Sequence, residues 1–349
     1  MTSNAAHQSF LDALPGERAI YPHQYNLLDE RILLVALDSK TQEDASFLDE
    51  RVLTAQTKGA WFSVDTVARA MDHAPEALQT NTPDAPRYIF HMGHCGSTLI
   101  SRLVCAALDI AAVREPLPLR VLAIDAADGA SGFLGNAQIT ERLHLFERLW
   151  ARGPRPALVK ATSMCSGLAI RAGDAGPALF LYQAPPTQLA AMLAGENTVA
   201  SLRGFAQMRH RRLAAEIDAP PLAGLRLGEL AAMAWLAEAL AGAAAIEAAR
   251  AYALNFDDFL RAPAAQLAII CDRFGSTPST DDIDTVISGP IMHQYSKAPD
   301  HPFDATARDQ RLAQSSANNS EEIRAGLAWL DALGAREPCV ADALNRFSN

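Results

Sequence analysis

The stretch Arg87-Tyr-Ile-Phe-His-Met-Gly-His-Cys-Gly-Ser-Thr-Leu-Ile-Ser-Arg-Leu-Val, residues 87 to 104, constrains the fold more than any other part of the chain. Tyr88 to Met92 reads as a short buried strand and Gly93 to Thr98 as a tight turn. From Leu99 onward, Ile100, Leu103, Val104, Ala107 and Leu108 continue an apolar face at helical spacing. A strand that turns through Gly-x-x-Gly-Ser-Thr into a helix aims backbone N–H groups and two hydroxyls at one point. The helix N-terminus adds partial positive charge there, so the expected product is an anion cradle. Gly93 and Gly96 suit sharp bends and close approach of a phosphate to the backbone. An ordinary strand-turn-helix corner is the alternative.

Short apolar strands alternating with helices continue down the chain. Ile110 to Val113, Ala157 to Lys160, Ala178 to Tyr182 and Ala251 to Phe256 read as further strands. Between them, 118 to 127, 137 to 151, a helix opened by Pro185-Pro186, and most of 199 to 250 read as helical. That alternation predicts an α/β three-layer sandwich with a central parallel sheet of about five strands, covered on both faces. The cradle strand should be central, because ligands in such sheets bind at the carboxyl ends of the strands. Residues 1 to 85 are expected to be an N-terminal appendage packing on a core of residues 86 to 349. Within the appendage, 1 to 20 reads as loosely ordered, 32 to 37 as a strand, and 47 to 55 and 64 to 74 as helices, the latter capped by Ser63. Residues 289 to 318 read as Pro-, Asp- and Ser-rich loop, and a last helix is expected near Asn319, capped with Glu322.

Composition narrows the partners. The 349 residues carry a formal net charge of −10. That opposes a primary role in gripping nucleic acid or an anionic membrane, and makes each local cation more informative. The lysines are Lys40, Lys58, Lys160 and Lys297. The five cysteines are scattered and form no C-x-x-C pair, so neither a disulfide framework nor a structural zinc site is indicated. The first residues lack an apolar signal core, and the Ala-rich run from Glu229 is broken by Glu238 and Glu247, so a cytoplasmic location is the default expectation.

Spacing excludes two familiar loops. A Walker A loop has four residues between its glycines and then Lys; here two residues separate Gly93 from Gly96 and Ser97 follows. Six residues separate Cys95 from Arg102, one more than a cysteine-phosphatase loop has. What remains, Gly-x-Cys-Gly-Ser-Thr-Leu, resembles the 5′-phosphosulfate loop of the sulfotransferases, in its bacterial form. A second segment, Asn255-Phe-Asp-Asp-Phe-Leu-Arg-Ala-Pro running on to Arg273-Phe-Gly275, resembles a late segment of the same family. Together the matches span about residues 87 to 275.

The resemblance implies a P-loop fold of the sulfotransferase type. It implies transfer of a sulfuryl group from 3′-phosphoadenosine 5′-phosphosulfate (PAPS) to a small-molecule hydroxyl or amine, without a metal. It implies that Gly93, His94, Cys95, Gly96, Ser97, Thr98 and Leu99 hold the 5′ phosphosulfate. His94 stands where the family has a cation, and would stabilise the leaving phosphate or else hydrogen-bond only locally. Lys160 matches the family's donor-side lysine, but Thr162 replaces the histidine base of the cytosolic enzymes, and threonine is no general base at neutral pH. Glu115, in Arg-Glu-Pro after the second strand, matches the glutamate base of the glycosaminoglycan and tyrosyl-protein enzymes; Arg114 or Arg120 would keep it ionised, or it is a surface salt-bridge partner. Gln183 and Ala191 stand where the family has Arg and Ser for the 3′-phosphate. Glutamine can bond a phosphate but not neutralise it. Arg203, the Arg209-to-Arg212 cluster or Lys297 could supply that charge. The alternatives are a phosphotransferase or nucleotide-binding enzyme with another donor, favoured by Gln183 and Ala191, and a non-catalytic ligand-binding protein. His91 and His94 straddle a turn with no carboxylate beside them, so no metal site is expected. Cys95 is expected to pack or to space the backbone rather than to act as a nucleophile.

Overall fold

The strand expected over 88 to 92 forms as Arg87–His91 and is the middle one of five parallel strands. The computed structural model describes residues 2–73, 85–172, 176–248, 251–295, 298–302 and 304–348. An antiparallel sheet comes first: β1 (Ile20–Asn26), β2 (Arg31–Ala36) and β3 (Gly59–Ser63) in that order. The main sheet contains β4 (Arg87–His91), β5 (Ala111–Arg114), β6 (Ala157–Lys160), β7 (Ala178–Tyr182) and β8 (Ala251–Asn255), in the order β5-β6-β4-β7-β8. A short hairpin, β9 (Gln294–Tyr295) and β10 (Ala298–Pro302), follows.

The core strands are apolar at nearly every position because both faces are covered. Ile89, Leu158, Leu179, Leu181 and Leu254 pack with the helices Ser97–Leu108, Pro263–Arg273 and Thr280–Ser288. Tyr88, Phe90, Val113, Val159 and Phe180 face the other way, into a cluster shared with Trp235, Leu330 and Phe347. The helix Leu227–Glu247 is apolar and long enough to cross a membrane, but most of it is buried here. A Cβ on its Gly242 would lie 2.3 Å from the Phe180 ring, so the helix rests directly on the sheet.

The N-terminal sheet joins the second cluster through Tyr21, Tyr25 and Ile32, which pack with Phe146 and Trp150. Residues 43 to 48 bind the edge strand β5. Arg114 donates to the carbonyls of Glu43 and Ala45, and Leu48 N donates to Arg114 O at 2.8 Å.

Several local expectations are corrected. Residues 2–13 form a helix where a loose segment was expected, and a strand the sequence reading did not name follows over Ile20–Asn26. Only a single 3₁₀ turn, Glu50–Val52, forms in the expected helix of 47 to 55, with Asp49 capping it. The expected loop of 289 to 318 contains a fourteen-residue helix, Ala305–Asn318, started by the Asp304 carboxylate on Ala307 N. Asn319 does not form the expected capping box. Its amide turns back to Ser315 O, while Glu322 accepts from Gly228 N at 2.7 Å and so caps a different helix. Ser63 does cap the helix Val64–Asp72, accepting from Thr66 N.

Candidate active site

β4 delivers its chain to a loop of left-handed residues at the carboxyl edge of the sheet. Gly93 has φ 83°, His94 φ 55° and Gly96 φ 72°. The helix Ser97–Leu108 starts directly after these bends. Its first intrahelical bond runs from Ile100 N to Gly96 O, and Gly96 has no capping side chain. The amides of Ser97, Thr98 and Leu99 therefore have no intrahelical acceptor, and the dipole end is open to an anion. Glycine is required at 96 for space as well as for φ: a Cβ there would lie 2.0 Å from the Phe256 ring.

Three buried contacts hold the loop. His91 Nδ1 accepts from Gly93 N at 2.9 Å, so that nitrogen carries no proton and Nε2 donates to Ala161 O at 2.7 Å. Gln188 Nε2 donates to Gly93 O at 2.8 Å. Cys95 is wholly buried and its thiol donates to Leu181 O, so the side chain packs and ties the loop to β7.

The loop opens onto a cavity of about 560 Å³, a size that suits a small organic ligand. Gly93, His94, Gly96, Ser97, Thr98, Leu99, Glu115 and Gln183 all line it. Thr98 is 3% exposed and its Oγ1 has no hydrogen-bond partner among the described residues. Gln183 is 1% exposed, and both ends of its amide are likewise unpartnered. Its backbone is fixed instead, with Trp235 Nε1 donating to Gln183 O at 3.0 Å. Buried polar atoms without partners are costly, and here they sit on the wall of a cavity that could supply partners.

Glu115 follows β5 and has φ 52°, a left-handed conformation that costs a non-glycine residue of order 1–3 kcal/mol. Its carboxylate forms an ion pair with Lys160 Nζ, at the end of the neighbouring strand β6. Lys160 is 1% exposed, is not part of the cavity wall, and also lies over the Phe47 ring at 5.5 Å. The cation paired with Glu115 is thus Lys160, in place of the expected Arg114 or Arg120. The Arg114 guanidinium is spent on Ser101 Oγ and the carbonyls of Glu43 and Ala45, and burial lowers its pKa.

The expected sources of extra charge separate. Arg209 donates to Ser201 O and Leu202 O, Arg211 pairs with Asp128, and Arg212 pairs with Glu238, so that cluster serves the fold. Burial lowers the Arg209 pKa to about 10. Lys297 lies outside the described residues. The cations on the cavity wall are Arg308 and Arg311, one helical turn apart on Ala305–Asn318, which sequence reasoning missed because it read that segment as loop. Arg308 pairs with Asp257 Oδ1 at 2.5 Å; Arg311 makes no ion pair among the described residues. Phe47 and Ser163 also line the cavity, and no sequence spacing pointed to either. Ala191 lines it too.

No protein-family model matches this chain, and no curated protein matches it. Solved structures similar to it include the sulfotransferase domain from the curacin biosynthetic pathway, at 13% identity and a TM-score of 0.39, over 68% of this chain and 98% of that domain. The sulfotransferase from Alicyclobacillus acidocaldarius is similar at 15% identity and a TM-score of 0.32, over 69% of this chain and 96% of that one.

Proposed function

We propose that the protein transfers a sulfuryl group from PAPS to a small-molecule hydroxyl or amine. The observation that carries this is the loop of residues 93 to 99, whose open amides and unpartnered Thr98 Oγ1 face the same cavity as Glu115. An anionic group fits there because the loop provides N–H donors and a buried hydroxyl that has no partner among the described residues. The donor supplies the sulfuryl group. The amides of Ser97 to Leu99 and the two hydroxyls hold its 5′ end. His94, Ser97 and the helix dipole offset charge that grows on the departing phosphate oxygen.

Glu115 takes the proton of the acceptor O–H or N–H as that atom bonds to sulfur. Lys160 forms an ion pair with the Glu115 carboxylate and orients it, which makes it a positioning residue for the base. Phe47 shields this pair on one side, since it lines the cavity and covers Lys160. Arg308 and Arg311 supply positive charge toward the remainder of the donor, a charge that Gln183 cannot supply.

A second reading is favoured by one specific observation, the uncharged pair Gln183 and Ala191 on the wall. It is a nucleotide-binding enzyme whose donor lacks a 3′-phosphate. Thermal-shift titration with 3′-phosphoadenosine 5′-phosphate, AMP, ATP and GTP separates the two. Stabilisation by the bisphosphate well above that by AMP supports the PAPS reading. Equal or greater stabilisation by AMP or ATP supports the second, and no shift with any of them sinks both.

A further inference from the structure

A second concavity, of about 570 Å³, lies beside the first. It is formed where the helices Pro185–Leu193 and Glu196–Gly204 meet Ala305–Asn318, and it shares Ala194 and Arg311 with the main cavity. Its wall is apolar at Leu193, Val199 and Ala200 and cationic at Arg203 and Arg311, with Glu196 the acidic group among its lining residues. The amides of Gln314 and Asn318 also line it; they bond one another at 2.8 Å.

The two arginines stand apart from their neighbours in sequence. Arg209, Arg211, Arg212 and Arg308 each have a carbonyl or carboxylate partner. Among the described residues the guanidinium groups of Arg203 and Arg311 have no ion pair or hydrogen bond. In a chain of net charge −10, a concave surface with two such cations and one acid is a local reversal of sign. Guanidinium groups bind carboxylate, phosphate and sulfate oxygens through paired N–H donors, and the apolar wall suits a small hydrocarbon body.

We infer that this concavity is a second anion-binding site, which takes a small organic carboxylate or phosphate between Arg203 and Arg311. Arg311 reaches both cavities, so an anion held in the second draws on a charge that the first also uses. Occupancy of the two sites is therefore antagonistic, and by linkage the antagonism is reciprocal. This does not depend on which donor the main cavity takes.

The test is calorimetric titration of the full chain with phenyl phosphate and, separately, benzoate, which distinguishes the two head groups. Arg203 is exposed and belongs to the second concavity alone, so Arg203→Ala leaves the main cavity intact. We expect that variant to bind the preferred probe about tenfold more weakly. Asn318→Asp, which adds a negative charge to the same wall without removing a cation, is expected to weaken it by a similar factor. Arg311→Ala should weaken it too, and it alone of the three should directly weaken anion binding in the main cavity. Wild-type affinity in both Arg203→Ala and Asn318→Asp overturns the proposal, as does failure of the unmodified protein to bind either probe at millimolar concentration.

Discussion

Replacing Thr98 by valine should move stability and binding in opposite directions. The two side chains share shape and β-branching, so the exchange removes one hydroxyl and little else. In the free protein Thr98 Oγ1 is buried without a partner among the described residues. A hydroxyl in that condition costs about 1–3 kcal/mol relative to water, and the methyl that replaces it carries no such cost. The unfolding entropy of a chain of 349 residues is on the order of 0.7 kcal/mol/K near 60 °C, so the gain appears as a rise in Tm of about 1.5–4 °C. Urea unfolding should report the same gain as a higher midpoint at unchanged slope. Binding should fall, because the hydroxyl is held ready for a ligand oxygen and a bond to a charged group contributes about 1.5–3 kcal/mol. Titration with 3′-phosphoadenosine 5′-phosphate should show affinity reduced by roughly 10- to 150-fold. A variant that is less stable than the parent and binds equally well would refute the reasoning, since Thr98 would then bond within the protein and not to a ligand.

The other expectations are independent of that one. Glu115→Gln should lower turnover by roughly 10²- to 10⁴-fold while the affinity for 3′-phosphoadenosine 5′-phosphate stays within about twofold; full turnover in a sulfuryl-transfer assay removes Glu115 from the mechanism. Gly96→Ala should destabilise by about 2–4 kcal/mol in urea unfolding, because its Cβ meets the Phe256 ring at 2.0 Å and φ is 72°; part of the loss should return when Phe256→Leu is added. His23, in the irregular part of β1, is wholly buried with neither ring nitrogen partnered among the described residues. Burial lowers its pKa, while Glu50 and Asp49 act in the opposite sense. The stability it contributes is complete above its unfolded pKa near 6.5 and is lost as pH falls toward the lower folded value. His23→Leu should flatten the fall in urea midpoint between pH 7 and pH 5, and an unchanged slope excludes His23 as its source. With a thiol reagent at neutral pH, exposed Cys339 should react first, while Cys95, Cys165 and Cys271 should wait for unfolding.

Local signals sufficed for the sheet and for the loop. The five core strands could be read because each is a short apolar run ended by Gly, Pro or a polar residue. The centrality of β4 followed from where such sheets place anions. The Gly93-to-Thr98 turn could be read because left-handed bends and a helix start depend on residues in immediate succession. The helix Ala305–Asn318 was not legible in the same way. It buries only Ser315 and has no apolar stripe, so hydrophobic periodicity gave no signal; Asp304 as a cap was the available one. Missing that helix meant missing Arg308 and Arg311.

Sequence alone determined the succession of the core strands, the bend of the anion loop, and that Glu115 and Lys160 stand at the ends of consecutive strands. Only the tertiary structure decided which charges meet. Glu115 pairs with Lys160, forty-five positions away, and not with its neighbour Arg114. The reason is geometric: once β5 and β6 lie side by side, Arg114 is turned toward Ser101 and the N-terminal segment, while Glu115 bends back over the strand edge. Glu322 likewise caps the helix beginning at Leu227, ninety-four positions from its Gly228 partner, and not its own. Spacing along a chain encodes turns and faces over a few residues. Partners across a sheet edge or between crossing helices are selected by packing, which no short-range pattern records.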